Sequence, residues 1–154
     1  MQQQGTVQSQ NIATCLIVED SQFDQQMMTR VIARSRNPMN VRVASTLSSA
    51  KEALAHGDVS LILLDNNLPD GIGADFALEL ASDPKHAHTP VVIVSDWPTP
   101  FMWEKAASAG VLYVVNKSEF GVQYVEQAMG KGAKKRPRVK FPNSPSPSSL
   151  RKAS

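Results

Sequence analysis

The chain has 154 residues, of which 42% are hydrophobic and 19% are charged. This length suits one domain with a buried core, and the composition is typical of a soluble globular protein. No apolar run approaches the roughly 18 residues of a membrane span, and no signal-peptide pattern follows Met1. One cysteine, Cys15, excludes an internal disulfide and fits a reducing compartment. These features predict a cytoplasmic protein without membrane contact.

Charge is distributed unevenly along the sequence. Residues 131–154 contain eight Lys or Arg and no acidic residue, a charge of +8, whereas residues 1–130 carry −6. The first residues are Gln-rich and lack apolar periodicity. We therefore predict an unstructured segment at 1–11, a folded domain at 12–130 and a basic, Pro/Ser-rich unstructured tail at 131–154. The tail is interpreted as a flexible solvated segment, with a docking arm for nucleic acid or an acidic partner as the alternative.

Short apolar runs alternate with amphipathic segments between residues 12 and 130. The runs lie at 15–18, 41–44, 59–64, 91–94 and 111–115. Each run is Leu-rich or β-branched and is too short for a helix, which favours strands buried on both faces.

The segments between the runs have helical periodicity. Their apolar stripes, in chain order, contain Phe23, Met27 and Val31; Leu47, Ala50 and Leu54; Phe76, Ala77 and Leu80; Phe101, Met102 and Ala106; and Tyr124, Val125 and Ala128. We expect the first helix to begin at an N-cap, Ser21, the second to end at Gly57 and the fourth to begin near Pro100. Five strand–helix units predict an α/β fold, a (βα)5 parallel sheet with helices on both faces.

Polar residues stand directly after four of the predicted strands. Glu19 and Asp20 follow the first strand, Asp65 follows the third, Ser95 the fourth and Lys117 the fifth. In parallel sheets of this kind, ligands bind beyond the carboxyl ends of the strands. Carboxylates are suitable ligands for Mg²⁺, an aspartate can form an aspartyl phosphate, and an ammonium group offsets phosphoryl charge. The pattern therefore predicts an Mg²⁺-dependent phosphoryl-acceptor site.

Each residue taken singly has a simpler interpretation. Asp20 or Ser21 could cap the following helix, and Asp65 could begin a turn. These interpretations do not explain why the polar residues follow four different strands, so the joint placement favours one site.

The motifs around these residues resemble those of a known family. They are Leu-Ile-Val-Glu19-Asp20, Leu-Ile-Leu-Leu-Asp65-Asn-Asn67-Leu-Pro69-Asp-Gly71, Val-Ile-Val-Ser95 and Val-Val-Asn-Lys117. Separations of 45, 30 and 22 residues join Asp20, Asp65, Ser95 and Lys117. Residues 12–130 thus resemble the CheY-like receiver domain of two-component response regulators.

The resemblance implies a fold, a ligand and partners. The fold would be a doubly wound, five-stranded sheet with strand order 2-1-3-4-5. Asp65 would accept a phosphoryl group from a histidine kinase or phosphotransfer protein. Asp20, Asp65 and the backbone carbonyl of Asn67 would bind Mg²⁺ directly, and Glu19 would bind it through water. Ser95 and Lys117 would contact phosphoryl oxygens. A downstream protein, or a second copy in a homodimer, would bind the face of the fourth helix, fifth strand and fifth helix.

Two departures from the family pattern concern access to Asp65. Asp96 follows Ser95 where the family usually has Ala or Gly, and a further acid should repel an anionic donor. Trp97 lies where the family controls access of water. Its indole could shield an acyl phosphate, dock a partner, or merely pack against Pro98 and Pro100.

Two further departures concern the response to phosphorylation. Ser118 replaces the family's proline, so we predict a trans peptide bond and a differently held Lys117, because a non-prolyl cis bond costs about 2.5–4 kcal/mol. Val114 occupies the position of the switch aromatic. Tyr113, one residue earlier, should point to the opposite face of the sheet.

An acidic site at the strand ends suggests three functions. The first is a single-domain response regulator, not an enzyme, that acts by docking or phosphorelay. The alternative is a receiver-like protein-binding module impaired in phosphorylation. The third, a haloacid-dehalogenase-like phosphatase, requires Asp-x-Asp after its first strand and is rejected, because the sequence there is Glu19-Asp20-Ser21-Gln22.

Overall fold

The computed structural model describes residues 12–130. The unstructured segments predicted at 1–11 and 131–154 lie outside this range. The elements alternate as β1 (Ala13–Val18), α1 (Gln22–Arg34), β2 (Met39–Ala44), α2 (Leu47–Ala55), β3 (Leu61–Leu64), α3 (Gly73–Ala81), β4 (Val91–Ser95), α4 (Pro100–Ser108), β5 (Tyr113–Asn116) and α5 (Val122–Met129). A short antiparallel hairpin, Asn67–Leu68 with Gly71–Ile72, precedes α3, and a 3-10 turn, Lys117–Glu119, follows β5.

The five main strands form one parallel sheet in the order β2-β1-β3-β4-β5. The α/β class and the doubly wound order predicted from the sequence are confirmed. The chain moves outward from β1 to β2, then crosses back to β3 on the other side of β1. This reversal leaves a crevice at the carboxyl ends of β1 and β3, the place where ligands bind in doubly wound sheets.

Each face of the sheet has its own hydrophobic cluster. Leu16 and Val18 of β1 pack in the cluster covered by α2, α3 and α4, while Cys15 and Ile17 pack in the cluster covered by α1 and α5. Side chains of a strand alternate between faces, so the apolar run at the end of the central strand β1 contributes to both clusters. None of the helices between residues 12 and 130 is long and apolar enough to cross a membrane.

Local signals set the beginnings of several helices. The side chain of Ser21 caps α1 by accepting the N–H of Asp24, and α4 begins with Pro100 after the N-cap Thr99, as the sequence predicted. Helix α2 ends at Ala55, before the predicted stop at Gly57.

Some predicted strands were wrong in extent or burial. β3 begins at Leu61 rather than residue 59, because its pairing with β1 starts at Cys15 and Leu61. β5 begins at Tyr113 rather than residue 111, since its pairing with β4 starts there. β2 is not buried on both faces; it is an edge strand, and only Ala44 of its residues is buried.

Two aromatic residues assigned to buried helical stripes are exposed. Phe23 is 77% exposed and Phe101 is 68% exposed. Each is the second residue of its helix, α1 or α4, and so lies beside the carboxyl edge of the sheet rather than over its face. Periodicity places a residue on one side of a helix but does not tell whether another element covers that turn.

Candidate functional site

Three acidic residues meet at the carboxyl ends of β1 and β3. Val18 and Leu64 pair at the ends of these strands, so Glu19, Asp20 and Asp65 leave the sheet side by side. One carboxylate oxygen from each lies within 4.8 Å of the others. Glu19 and Asp65 are buried, and Asp20 is exposed. The sequence predicted this juxtaposition from strand ends alone.

Burial shapes the electrostatics of the two inner carboxylates. It raises the pKa of Glu19 to about 7, although the N–H of Ser21 donates to Oε2 at 2.9 Å and Lys117 is close. Burial likewise raises the pKa of Asp65, opposed by Lys117 and by the backbone N–H groups after Asp65. Both carboxylates therefore hold their negative charge at a cost, which a bound cation would offset.

Lys117 lies among four carboxylates. Its ammonium nitrogen is 2.8 Å from Oδ2 of Asp24, 3.0 Å from Oε1 of Glu19, and 3.7 Å from oxygens of both Asp65 and Asp96. Burial acts against the charge of Lys117, but the hydrogen bond to Asp24 and the contacts with Glu19 and Asp65 outweigh it and raise the pKa of the ammonium. Lys117 therefore offsets part of the negative charge at this edge of the sheet.

Ser118 stands in a defined turn beside Lys117. The Oδ1 of Asn116 accepts the N–H of Ser118 at 2.9 Å and its hydroxyl at 2.7 Å. The Nδ2 of Asn116 donates to the carbonyl of Asp96 at 2.9 Å, which ties the loop after β5 to the loop after β4. The peptide bond between Lys117 and Ser118 is trans, as predicted.

Ser95 ends β4 and is fully buried. Within residues 12–130, its hydroxyl oxygen has no hydrogen-bond partner. Leaving a buried hydroxyl without a partner costs about 1–3 kcal/mol. An unsatisfied donor at the end of a central strand is a group for which a ligand oxygen would be a suitable partner.

The loop after Asp65 is held by backbone contacts. Asn66 accepts the N–H of Gly73 at 2.7 Å through its carbonyl and the N–H of Ala74 at 2.9 Å through Oδ1. It thereby caps α3, whose own N-cap residue, Ile72, makes no side-chain hydrogen bond. A Cβ on Gly73 would overlap the backbone oxygen of Asp65, so this approach requires glycine. Asn67 begins the hairpin with its side chain exposed.

The access residues predicted after Ser95 are open to solvent. Trp97 is 80% exposed, so Pro98 and Pro100 do not bury it. The carboxylate of Asp96 is 61% exposed but still points toward Lys117.

Val114 and Tyr113 lie on opposite faces of β5, as predicted. Val114 is buried in the cluster covered by α2, α3 and α4, and Tyr113 packs against the other cluster. Tyr113 donates its hydroxyl to Gln127 and packs edge-on against Tyr124. Tyr113 therefore belongs to the contact between β5 and α5.

Sequence reasoning missed two residues of this site. Asp24 contacts Lys117, and Asn116 joins the two neighbouring loops. A signal for Asp24 was present: it lies in the first turn of α1, directly after the acidic end of β1. The pairing with Lys117, 93 residues away in sequence, is visible only in the fold.

Comparison with known proteins gives a consistent result. The response regulator receiver domain family matches residues 15–129. The rice (Oryza sativa subsp. japonica) two-component response regulator ORR12 is 33% identical over 99 residues, which are 62% of this chain and 78% of that protein. ORR8 from Oryza sativa subsp. indica is 32% identical over the same shares of each chain.

Solved structures agree on the fold. The phosphorylated cyanobacterial phytochrome response regulator RcpA has a TM-score of 0.68 and 23% identity, covering 78% of this chain and 95% of that one. The Mn²⁺-bound response regulator Rcp1 has a TM-score of 0.63 and 22% identity, covering 84% and 99%. The fold and its site define a receiver domain. This chain belongs to the response regulator receiver family of two-component systems, as its motifs indicated.

Proposed function

We propose that Asp65 accepts a phosphoryl group from a histidine kinase or a phosphotransfer protein. One observation carries the proposal: the buried Asp65 carboxylate stands between an acidic pair and the ammonium of Lys117, at the edge where the hydroxyl of Ser95 lacks a partner within the described chain. This set offers a nucleophile, a cation and a hydrogen-bond donor, the groups that phosphoryl transfer needs.

We also propose that the acidic residues hold Mg²⁺. Their oxygens are hard donors within 4.8 Å of one another, and the two buried carboxylates have raised pKa values that a cation would lower. Asp20, Asp65 and the backbone carbonyl of Asn67 would bind the ion, with Glu19 acting through water. The ion, when bound, supplies positive charge that offsets the charge of the phosphoryl oxygens.

Residues of the chain have separate roles in the transfer step. An oxygen of Asp65 forms a bond to phosphorus while the phosphorus–nitrogen bond of the donor phosphohistidine breaks. The leaving imidazole nitrogen keeps the electron pair and takes a proton from water. The hydroxyl of Ser95 donates to one phosphoryl oxygen and the ammonium of Lys117 donates to another, which stabilises the aspartyl phosphate product. The proposed chemistry is limited to self-phosphorylation and autodephosphorylation of Asp65.

The effect of phosphorylation would be transmitted from the site through β4 and β5. Ser95 pairs with Asn116 in the sheet, and Asn116 holds the carbonyl of Asp96. We propose that capture of the phosphoryl group by Ser95 shifts the population of the α4, β5 and α5 face, where a downstream protein or a second copy binds. We propose that this response does not use an aromatic switch on β5, because Val114 is buried and Tyr113 contacts α5 through Gln127 and Tyr124.

Location is proposed from the cysteine. The single cysteine, Cys15, is a free thiol and leaves no internal disulfide, which fits a reducing cytoplasm.

Incubation with acetyl phosphate or with beryllofluoride, each with Mg²⁺, tests the proposal. Intact mass should show one added phosphoryl group, and beryllofluoride should change the fluorescence of Trp97 in a Trp103→Phe background. Asp65→Asn should abolish both results, whereas Asp58→Asn, an exposed acid before β3, should keep them. Failure of the wild-type protein with small donors and with kinases would favour the protein-binding module instead.

A further inference from the structure

Lys117 makes its shortest contact with Asp24, not with the proposed acceptor. The distance from the ammonium nitrogen to Asp24 Oδ2 is 2.8 Å, within hydrogen-bond range, whereas the distance to Asp65 Oδ1 is 3.7 Å. An ammonium group has three N–H donors. Asp24 accepts one, and Oε1 of Glu19 forms an ion pair with the nitrogen at 3.0 Å without hydrogen-bond geometry. The charge of Lys117 is thus drawn toward α1 and β1.

Asp24 is well placed to hold this charge. Its side chain is 19% exposed and that of Lys117 is 10% exposed, so water screens the pair only weakly, whereas Asp96 is 61% exposed. The first turn of α1 is fixed at both sides. Its Ser21 cap accepts the N–H of Asp24, and Gln25 donates from Nε2 to the carbonyl of Glu19 at 2.6 Å. These hydrogen bonds hold the backbone at Asp24 in place relative to β1, and the carboxylate of Asp24 extends from this fixed point toward Lys117.

We propose that Asp24 is a positioning residue that holds the ammonium of Lys117 back from Asp65, so that an incoming phosphoryl group must compete with Asp24 for the lysine. The inference rests on the proposed function of Asp65. In this arrangement Asp24 lowers the affinity of the resting site for phosphoryl groups. Lys117 then moves from Asp24 toward the site only when the phosphoryl group is present.

Three effects decide the direction of an Asp24→Asn change. Asparagine keeps the shape but accepts a weaker, uncharged hydrogen bond, so Lys117 is released toward the acceptor. It also removes one negative charge beside an anionic ligand, which favours that ligand. The opposing effect is greater freedom of the lysine side chain. This effect is smaller, because Glu19 still contacts the ammonium at 3.0 Å.

The experiment compares two ligands by calorimetry: Mg²⁺ alone, and beryllofluoride at saturating Mg²⁺. Asp24→Asn should bind beryllofluoride about fivefold more tightly, because one unit of charge is removed and the lysine is freed. Its affinity for Mg²⁺ should stay equal or fall, since the released lysine and the lost charge both disfavour a cation. A purely structural defect in α1 would weaken the binding of both ligands and could not tighten the binding of beryllofluoride.

Two further variants serve as controls. Asp24→Glu keeps the negative charge and should bind beryllofluoride within about twofold of wild type. Asp75→Asn makes the same chemical change at an exposed ion pair of similar length, 2.7 Å to Lys105, and should leave both affinities unchanged. Unchanged or weaker binding of beryllofluoride to Asp24→Asn overturns the inference while leaving the proposed function standing. Absence of binding to the wild-type protein overturns both.

Discussion

The ammonium nitrogen of Lys117 lies 3.0 Å from a carboxylate oxygen of Glu19, although the two residues follow strands that are not neighbours. β3 and β4 lie between β1 and β5 in the sheet. The lysine therefore reaches back across the edge, over the strand that carries Asp65. This contact offsets part of the cost of burying the Glu19 carboxylate, so the charge at this edge should influence stability.

The metal-free protein should lose stability as pH rises from 5 to 8. Burial raises the pKa of Glu19 from 4.5 to about 7, so the folded protein binds more protons than the unfolded chain in this window. The stabilisation is complete below pH 4.5 and is lost as pH rises through 7. The loss should be on the order of 2–3 kcal/mol, measured by urea denaturation in EDTA.

Glu19→Gln should remove most of this pH dependence, because glutamine does not titrate. The raised pKa of Asp65 acts in the same direction and should leave a smaller slope. Glu104→Gln, an exposed acid on α4, should retain the wild-type profile. A wild-type profile that is flat in EDTA would contradict the buried state of Glu19.

Mg²⁺ should raise the melting temperature at pH 8. An ion that binds only the folded state at a hundredfold excess over its Kd adds about 2.7 kcal/mol. Asp20→Asn should shrink the shift, since it removes one of the three clustered carboxylates, yet it should not lower the melting temperature in EDTA because Asp20 is exposed. Asp58→Asn should keep the full shift. No shift at millimolar Mg²⁺ would count against a metal site.

Gly73→Ala should destabilise the protein by about 2–3 kcal/mol, because the new methyl group meets the backbone oxygen of Asp65. The loop cannot move away without breaking the hydrogen bond from Gly73 N–H to Asn66. Gly57→Ala is the matched control. Its nearest neighbour is the end of the flexible Arg42 side chain at 3.0 Å, so the change should stay within about 0.5 kcal/mol. Equal effects of the two substitutions in urea denaturation would refute the close packing at Gly73.

Trp97→Ala should distinguish a role of Trp97 in binding the phosphotransfer protein from a role in the phosphorylation of Asp65. Trp97 is 80% exposed, so its removal should change the free energy of unfolding by less than about 0.5 kcal/mol. Phosphorylation by acetyl phosphate should remain within about twofold, whereas transfer from a phosphotransfer protein should slow about tenfold, as expected for an exposed Trp that anchors a partner. Val43→Ala, an exposed apolar residue on β2, should affect neither rate. Faster hydrolysis of the aspartyl phosphate in Trp97→Ala would show that the indole shields the site instead.

Much of this site could be predicted because parallel strands end at one edge. The acidic residues follow apolar runs of the sequence: Glu19 and Asp20 after one run and Asp65 after another. Recognising these runs as parallel strands was enough to predict that the three residues lie close together. Prediction was weaker for residues whose state depends on another element. The edge position of β2 and the exposure of Phe23 and Phe101 follow from which elements cover them, and periodicity within one segment does not carry that information.

The sequence by itself determined the order of strands and helices along the chain, the acidic pair after β1 and the acidic residue Asp65 after β3. These features depend on local apolar runs and on the alternation of side chains along a strand. Only the tertiary structure decided how the charges are paired. The partnership of Lys117 with Asp24 and Glu19 joins the end of β5 to the beginning of α1 and the end of β1. Such contacts depend on distances across the folded sheet, which spacing along the chain does not encode.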